Sequence, residues 1–137
     1  GRAQTYWLPE TGLAEVGVIV TGCLASRALC AAKELEGEGI KVKVVNLSSI
    51  KPIDKNAIIE LAKETKCLVT VEEHQVTGGM GSAVAEVLAQ NYSIPIEFVG
   101  VRDEFGQSGT SNELIEHYGM GKNSIKEEVK KVLKRKN

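Results

Sequence analysis

Apolar residues along this chain follow two alternating periods. Short, β-branched runs stand at Val16 to Thr21, Val42 to Val45, Cys67 to Val71 and Ile96 to Val101. Each is too short for a helix and predicts a strand, and the run opening at Cys67 marks one buried on both faces. Between them, apolar positions recur at helical spacing: Leu24, Ala28, Ala31, Ala32 and Leu35; Ile58, Leu61 and Ala62; Met80, Val84, Val87 and Leu88. Each set falls on one helix face. Gly37 and Gly39 stop the first helix, Asp54 is placed to cap the second, and Lys66 marks that helix's end. Asn46 to Pro52 reads as loop, and Ser93 and Pro95 bracket a turn into the last strand.

The ends of the chain are less regular. Arg2 to Leu8 contains Thr5, Tyr6 and Trp7, good strand formers, and Pro9-Glu-Thr-Gly12 is a turn signal. So short a link lets this leading strand lie antiparallel against the next. Near the other end stand two capping boxes, Thr110-Ser-Asn-Glu113 and Ser124-Ile-Lys-Glu127. They predict a short helix stopping at Gly119, then a separate helix with Ile125, Val129, Val132 and Leu133 turned inward.

Strand and helix alternate from Val16 to Val101, which requires right-handed crossovers and a largely parallel sheet between helical layers. The expected fold is a three-layer α/β/α domain with a mostly parallel five-stranded sheet whose first strand is antiparallel. One domain spans 1–137, with a leading strand and turn over 1–12 and a C-terminal helix over 120–137. A chain of 137 residues is large enough for one core.

Composition narrows the function. Seventeen basic and eighteen acidic residues leave a net charge of −1, which argues for neither nucleic acid nor membrane as partner. One Trp, three Tyr and two Phe are too few for a base-stacking platform. The lysine-rich run Lys130, Lys131, Lys134, Arg135 and Lys136 has no interleaved aromatics and suits a solvated helix C-terminus. No apolar run approaches the roughly 20 residues of a bilayer span, and the start has no signal-peptide pattern. Cys23, Cys30 and Cys67 are odd in number and form no Cys-x-x-Cys pair. They read as free thiols of a reducing, cytoplasmic setting, buried as small hydrophobes. The first residue is glycine rather than methionine, so a processed chain or a piece of a longer one is expected.

Candidate chemistry collects at strand ends. The Cys67 to Val71 run exits into Glu72-Glu73-His74, and Gly78-Gly-Met-Gly81 leads into a helix. Thr21, Gly22 and Cys23 follow another strand, and Arg102, Asp103 and Glu104 follow the last. In a parallel sheet all three groups share one carboxyl edge. Glu73, His74 and Arg102 are the candidate functional residues. They offer either a histidine with carboxylates and an anion-binding arginine, or a polar edge that docks on another domain. His117 reads as solvent-facing. The glycine turn lacks the lysine and serine or threonine of a phosphate-binding loop and reads as a tight packing turn. It could still hold an anion at a helix N-terminus. No spacing of metal ligands is present.

As an ordered set these segments resemble the transketolase family's C-terminal domain. The matching residues are Gly39-Ile40, Val44-Val-Asn-Leu-Ser-Ser-Ile-Lys-Pro-Ile-Asp54, Val69-Thr-Val-Glu-Glu-His74 and Gly78-Gly-Met-Gly-Ser-Ala-Val84. Gly100-Val-Arg-Asp-Glu-Phe-Gly-Gln-Ser-Gly109, Glu113-Leu and His117-Tyr-Gly119 complete the set. Related domains close deoxyxylulose-phosphate synthases and 2-oxo-acid dehydrogenase beta chains. Glu73-His74 and Phe105 to Gly109 favour transketolase, in particular the second subunit of a split enzyme or the end of a full-length one. A free-standing regulatory or binding module that kept only the fold is a further alternative.

The resemblance implies a parent enzyme that moves a two-carbon ketol unit between sugar phosphates, using thiamine diphosphate and a divalent metal, Mg or Ca. In the family a Gly-Asp-Gly motif in another domain holds the diphosphate and metal, and this sequence has none. The implied role is therefore a domain that binds no cofactor, borders the active site and supports assembly with the other transketolase domains or subunit, within a homo-oligomer. Alone it would be inactive. No catalytic, cofactor-binding or metal residue is carried over.

Overall fold

The structure, a computed structural model, describes residues 3–21, 24–48, 51–73, 79–101 and 111–136, without the side chains of 111–120. Five strands and four helices form in the order β1 (Ala3–Trp7), β2 (Val16–Val20), α1 (Ala25–Gly37), β3 (Val42–Leu47), α2 (Lys55–Thr65), β4 (Leu68–Glu73), α3 (Met80–Asn91), β5 (Ile96–Val101) and α4 (Ser111–Arg135). The sheet order is β1-β3-β2-β4-β5. Strands β2 to β5 run parallel, and β1 lies antiparallel to β3 with Ala3 opposite Leu47. This is the expected mixed sheet. Its leading strand, however, pairs with β3 and not with the strand that follows it in the chain. Both sides of β2 are taken by β3 and β4, so β1 finds its partner at the open edge of β3.

Two apolar layers enclose the sheet. On one face Ala28, Ala31, Ala32 and Leu35 of α1 meet Ile125, Val129 and Val132 of α4 over Val18, Val44, Val69 and Val99. On the other, Ile58 and Leu61 of α2 and Met80, Val84 and Leu88 of α3 cover Ile19, Val45 and Leu68. These are the helix faces that the 3.6-residue period predicts. Asp54 caps α2, its Oδ1 accepting the Ala57 N–H at 3.1 Å, and Lys66 closes the helix in a left-handed conformation.

Three expectations about element bounds are corrected. Strand β3 continues through Asn46 and Leu47, which pair with Gln4 and Ala3 of β1 instead of starting a loop. Glu72 and Glu73 belong to β4, in register with Gly100 and Val101, rather than following the strand. The two helices expected near the C-terminus are one, running unbroken from Ser111 to Arg135. Gly119 does not stop it, and Ser124 sits exposed in its middle. A Cβ at Gly121 would lie 2.7 Å from Arg27 Cδ and 3.2 Å from Val101 Cγ1, so this glycine serves close approach of α4 to α1 and the sheet. Packing thus outweighs the roughly 1 kcal/mol that a glycine costs a helix interior, and the local cap signals with it. Thr110 of the first capping box lies outside the described residues.

The lysine-rich end of α4 is solvent-exposed, as expected, and α4 also carries ion pairs along its length. Lys126 and Lys130 reach Glu38 at 2.7 Å, Lys122 reaches Glu34 at 2.6 Å, and Arg135 reaches Glu97 at 2.6 Å. Cys67 is buried as expected, and burial pushes its thiol up to about 11. Cys30 corrects the reading of the cysteines, since it is exposed on α1, while Cys23 lies outside the described residues.

Candidate functional site at the carboxyl edge of the sheet

All four parallel strands end on one edge, so that edge gathers Thr21, Ser48, Glu72, Glu73 and Val101. The antiparallel β1 adds Ala3 to the same edge. Side chains along β4 alternate between the two layers. Leu68 belongs to the α2/α3 layer and Val69 and Val71 to the α1/α4 layer. Period-2 alternation therefore sends Thr70 and Glu72 toward α3 and Glu73 toward α1 and α4.

The geometry of this edge centres on Glu72. It is 3% exposed, and its Oε2 accepts the Gly81 N–H at 2.5 Å in the first turn of α3. A carboxylate at a helix N-terminus is favoured by the dipole and by a charge-assisted hydrogen bond. Gly81 permits the approach: a Cβ there would lie 2.8 Å from the Phe98 ring and 3.1 Å from both Glu72 Oε2 and Thr70 Oγ1. Glu72 Oε1 and Thr70 Oγ1 are buried without a hydrogen-bond partner. The chain's own carboxylate occupies the helix N-terminus, so an outside anion would meet a like charge there. The glycine turn therefore packs, at least at Gly81.

The candidates expected from the sequence are only partly placed. Glu73 is half-buried at the end of β4, on the α1/α4 side of the sheet. His74 and Arg102 lie outside the described residues, as do the side chain of His117 and residues Asp103 and Glu104. Two charged residues outside that candidate set are buried at this edge. Arg27, 1% exposed in the first turns of α1, lies against Gly121, and Glu72 anchors α3. Both had a readable signal. Arg27 stands four residues before Ala31 and eight before Leu35, on the buried stripe. Glu72 continues the Leu68, Thr70 alternation.

Among the described residues no group of three His, Cys, Asp or Glu side chains comes together in a way that could hold a metal ion. Nor does any helix searched among them have the length and apolarity to cross a membrane.

A five-stranded mixed sheet between two pairs of helices, with polar residues gathered on the carboxyl edge, defines a three-layer α/β/α domain. Residues 7–125 match the family model described as the transketolase C-terminal domain, and the chain belongs to that family. It is 41% identical over 123 residues to a 6-deoxy-6-sulfo-D-fructose transketolase subunit of Clostridium sp., covering 90% of this chain and 38% of the relative. It is 39% identical over 112 residues to the 1-deoxy-D-xylulose-5-phosphate synthase of Heliobacterium modesticaldum, covering 81% of this chain and 17% of the synthase. Among solved structures, a split-gene transketolase described as an inactive beta4 tetramer superposes with a TM-score of 0.78 at 41% identity. That match covers 99% of this chain and 42% of the solved one. The chain thus spans well under half the length of the relatives it matches.

Proposed function

We propose that this chain is the C-terminal domain of a thiamine-diphosphate-dependent transketolase that moves a two-carbon ketol unit between sugar phosphates. The observation that carries the reading is the family match over residues 7–125 together with 41% identity to a transketolase subunit over nearly the whole chain. The parent is a split-enzyme subunit or a full-length chain. Its cofactor, with Mg or Ca, belongs to other domains; the missing Gly-Asp-Gly motif supports this reading. The domain itself supports subunit assembly and borders the active site, with Glu73, His74 and Arg102 along the edge that faces the rest of the enzyme. It is inactive alone.

Two measurements test this. The native polypeptide, detected with an antibody to the domain, should be several-fold heavier than 14.8 kDa. The complete enzyme should then form sedoheptulose 7-phosphate from xylulose 5-phosphate and ribose 5-phosphate. A native band at 14.8 kDa would favour a free-standing module instead. The 39% identity to a deoxyxylulose-phosphate synthase supports a second reading. Release of carbon dioxide from pyruvate with glyceraldehyde 3-phosphate, without ketol transfer, would select it.

A further inference from the structure

We infer that Arg135, at the end of α4, guards the open edge of β5 and holds off antiparallel pairing with the β5 of a second copy of the chain. The sheet order ends at β5, and among the described residues no strand lies beyond it. Such an edge presents its outward N–H and C=O groups as a template for another strand.

Which groups face outward follows from the register. Pro95 O accepts the Leu68 N–H at 3.1 Å, and Leu68 stands opposite Ile96. Backbone groups alternate sides along a strand, so those of Pro95, Glu97 and Val99 turn inward to β4. Those of Ile96, Phe98 and Gly100 turn outward. Strand β5 keeps an even register with β4 from Ile96 to Val101, whereas β1, at the other end of the sheet, has an irregular register between Thr5 and Trp7. An irregularity of that kind blunts an edge by itself, and β5 has none. The outward groups of β5 are also complementary to themselves. A two-fold axis through Phe98 sets it opposite Phe98 of the second copy and sets Ile96 opposite Gly100, with the two rings side by side. Phe98 is 50% exposed, and none of the three residues carries a charge to oppose the pairing.

Arg135 occupies this edge. Its Nη1 donates to the outward Ile96 O at 3.0 Å and to Glu97 Oε2 at 2.6 Å. The Glu97 side chain is only 13% exposed, and Lys131 Nζ lies 3.6 Å from its other oxygen, so the carboxylate that anchors the guanidinium is itself held. Pairing about Phe98 needs the Ile96 carbonyl of each copy for a Gly100 N–H. Both guanidinium groups must therefore leave together, each giving up charge-assisted bonds. An exposed ion pair adds little to stability. What this one changes is access to the edge.

The test uses the complete subunit carrying Phe98→Cys and Cys30→Ser, with and without Arg135→Ala. Pairing about position 98 brings the two Cα atoms to about 5.5 Å, within reach of a short bismaleimide. The link between the two thiols at position 98, read by peptide mass, is expected to form at least ten-fold faster with Arg135→Ala. With Phe98 intact, Arg135→Ala should also raise the particle mass seen by light scattering as concentration rises. Lys134→Ala removes a neighbouring charge and should behave as the unaltered subunit does. Equal linking rates with and without Arg135 would overturn the inference. So would a rise in mass with no 98–98 link, which places the new contact elsewhere, or an equal rise with Lys134→Ala, which makes net charge the cause. Buried Cys67, unlabelled by maleimide in a folded variant, is the folding control. Should Arg135→Ala fail it, Arg135→Met keeps the apolar stem and takes its place in the same comparison.

Discussion

The contact between Glu72 and Gly81 shows how one side chain settles the use of a glycine-rich turn. The Gly-Gly-Met-Gly segment alone admits both an anion cradle and a packing turn. What decides is a carboxylate nine positions earlier, whose Oε2 reaches the Gly81 N–H. Gly81→Ala places a Cβ within 2.8 Å of the Phe98 ring and 3.1 Å of two buried oxygens. Phe98 is half-exposed and can yield, but Glu72 and Thr70 are enclosed. The substitution is expected to destabilise by about 1–3 kcal/mol in urea titration. Adding Phe98→Ala should recover part of that loss as a coupling between the two sites. Full additivity would mean that the ring is not the obstacle. At Asp54 the expected cost of Asp54→Ala is about 1–2 kcal/mol, from the lost helix cap and the released Ala3 N–H. Limited proteolysis should then cut before β1 more readily than in the unaltered protein.

At the scale of elements, the period of the apolar residues made four strands and the inner faces of α1, α2, α3 and the C-terminal part of α4 legible, while β1 was legible from its strand-forming residues. The inner residues of α1, α2 and α3 are those that the spacing selects. Two features were not legible because they depend on distant partners. The pairing of β1 with β3 follows from β2 being saturated on both sides, which no local pattern carries. The continuity of α4 through two glycines and a capping box follows from its contact with α1, where Arg27 takes the space a side chain at Gly121 would need. Of the candidate site, Glu73 was legible as an edge residue. Buried Glu72 and Arg27 were masked by the usual reading of charge as surface.

The same α1–α4 contact carries a ladder of ion pairs with a definite pH response. Hydrogen bonds from Lys126 and then Lys130 hold the Glu38 carboxyl down to about 2, and Lys122 with Lys126 lowers that of Glu34. A glutamate of the unfolded chain titrates near 4.3, roughly its model-peptide value. Because the folded value is depressed, the contribution is fully present above that pH and is lost as pH falls toward about 2. Thermal unfolding followed from pH 6 to pH 2.5 should show a fall in melting temperature that Lys126→Gln makes shallower. These pairs are exposed, so salt should shrink the effect as well. An identical pH profile for Lys126→Gln would remove the ladder as its source.

For the whole molecule, the sheet separates two apolar layers that share β2, β3 and β4, and this sharing predicts that they unfold together. Each central strand contributes alternate residues to both layers: Val18 to one and Ile19 to the other, Val69 to one and Leu68 to the other. Losing either helical layer exposes one face of the same strands, so neither half has a core to itself. Cys67 provides the probe. It is fully buried at the start of β4 within the α1/α4 layer, its Sγ donates to Glu15 O at 3.4 Å, and its thiol is pushed up to about 11 by burial. Cys30 on the outer side of α1 serves as the reference. With a maleimide at neutral pH, Cys30 should react at the rate of a free thiol, while Cys67 reacts only through opening. If the layers are cooperative, the free energy from Cys67 labelling should equal that from urea unfolding and fall with urea at the same slope. A smaller free energy with a shallow slope would mean that the α1/α4 layer opens by itself. The sheet would then hold two separable units.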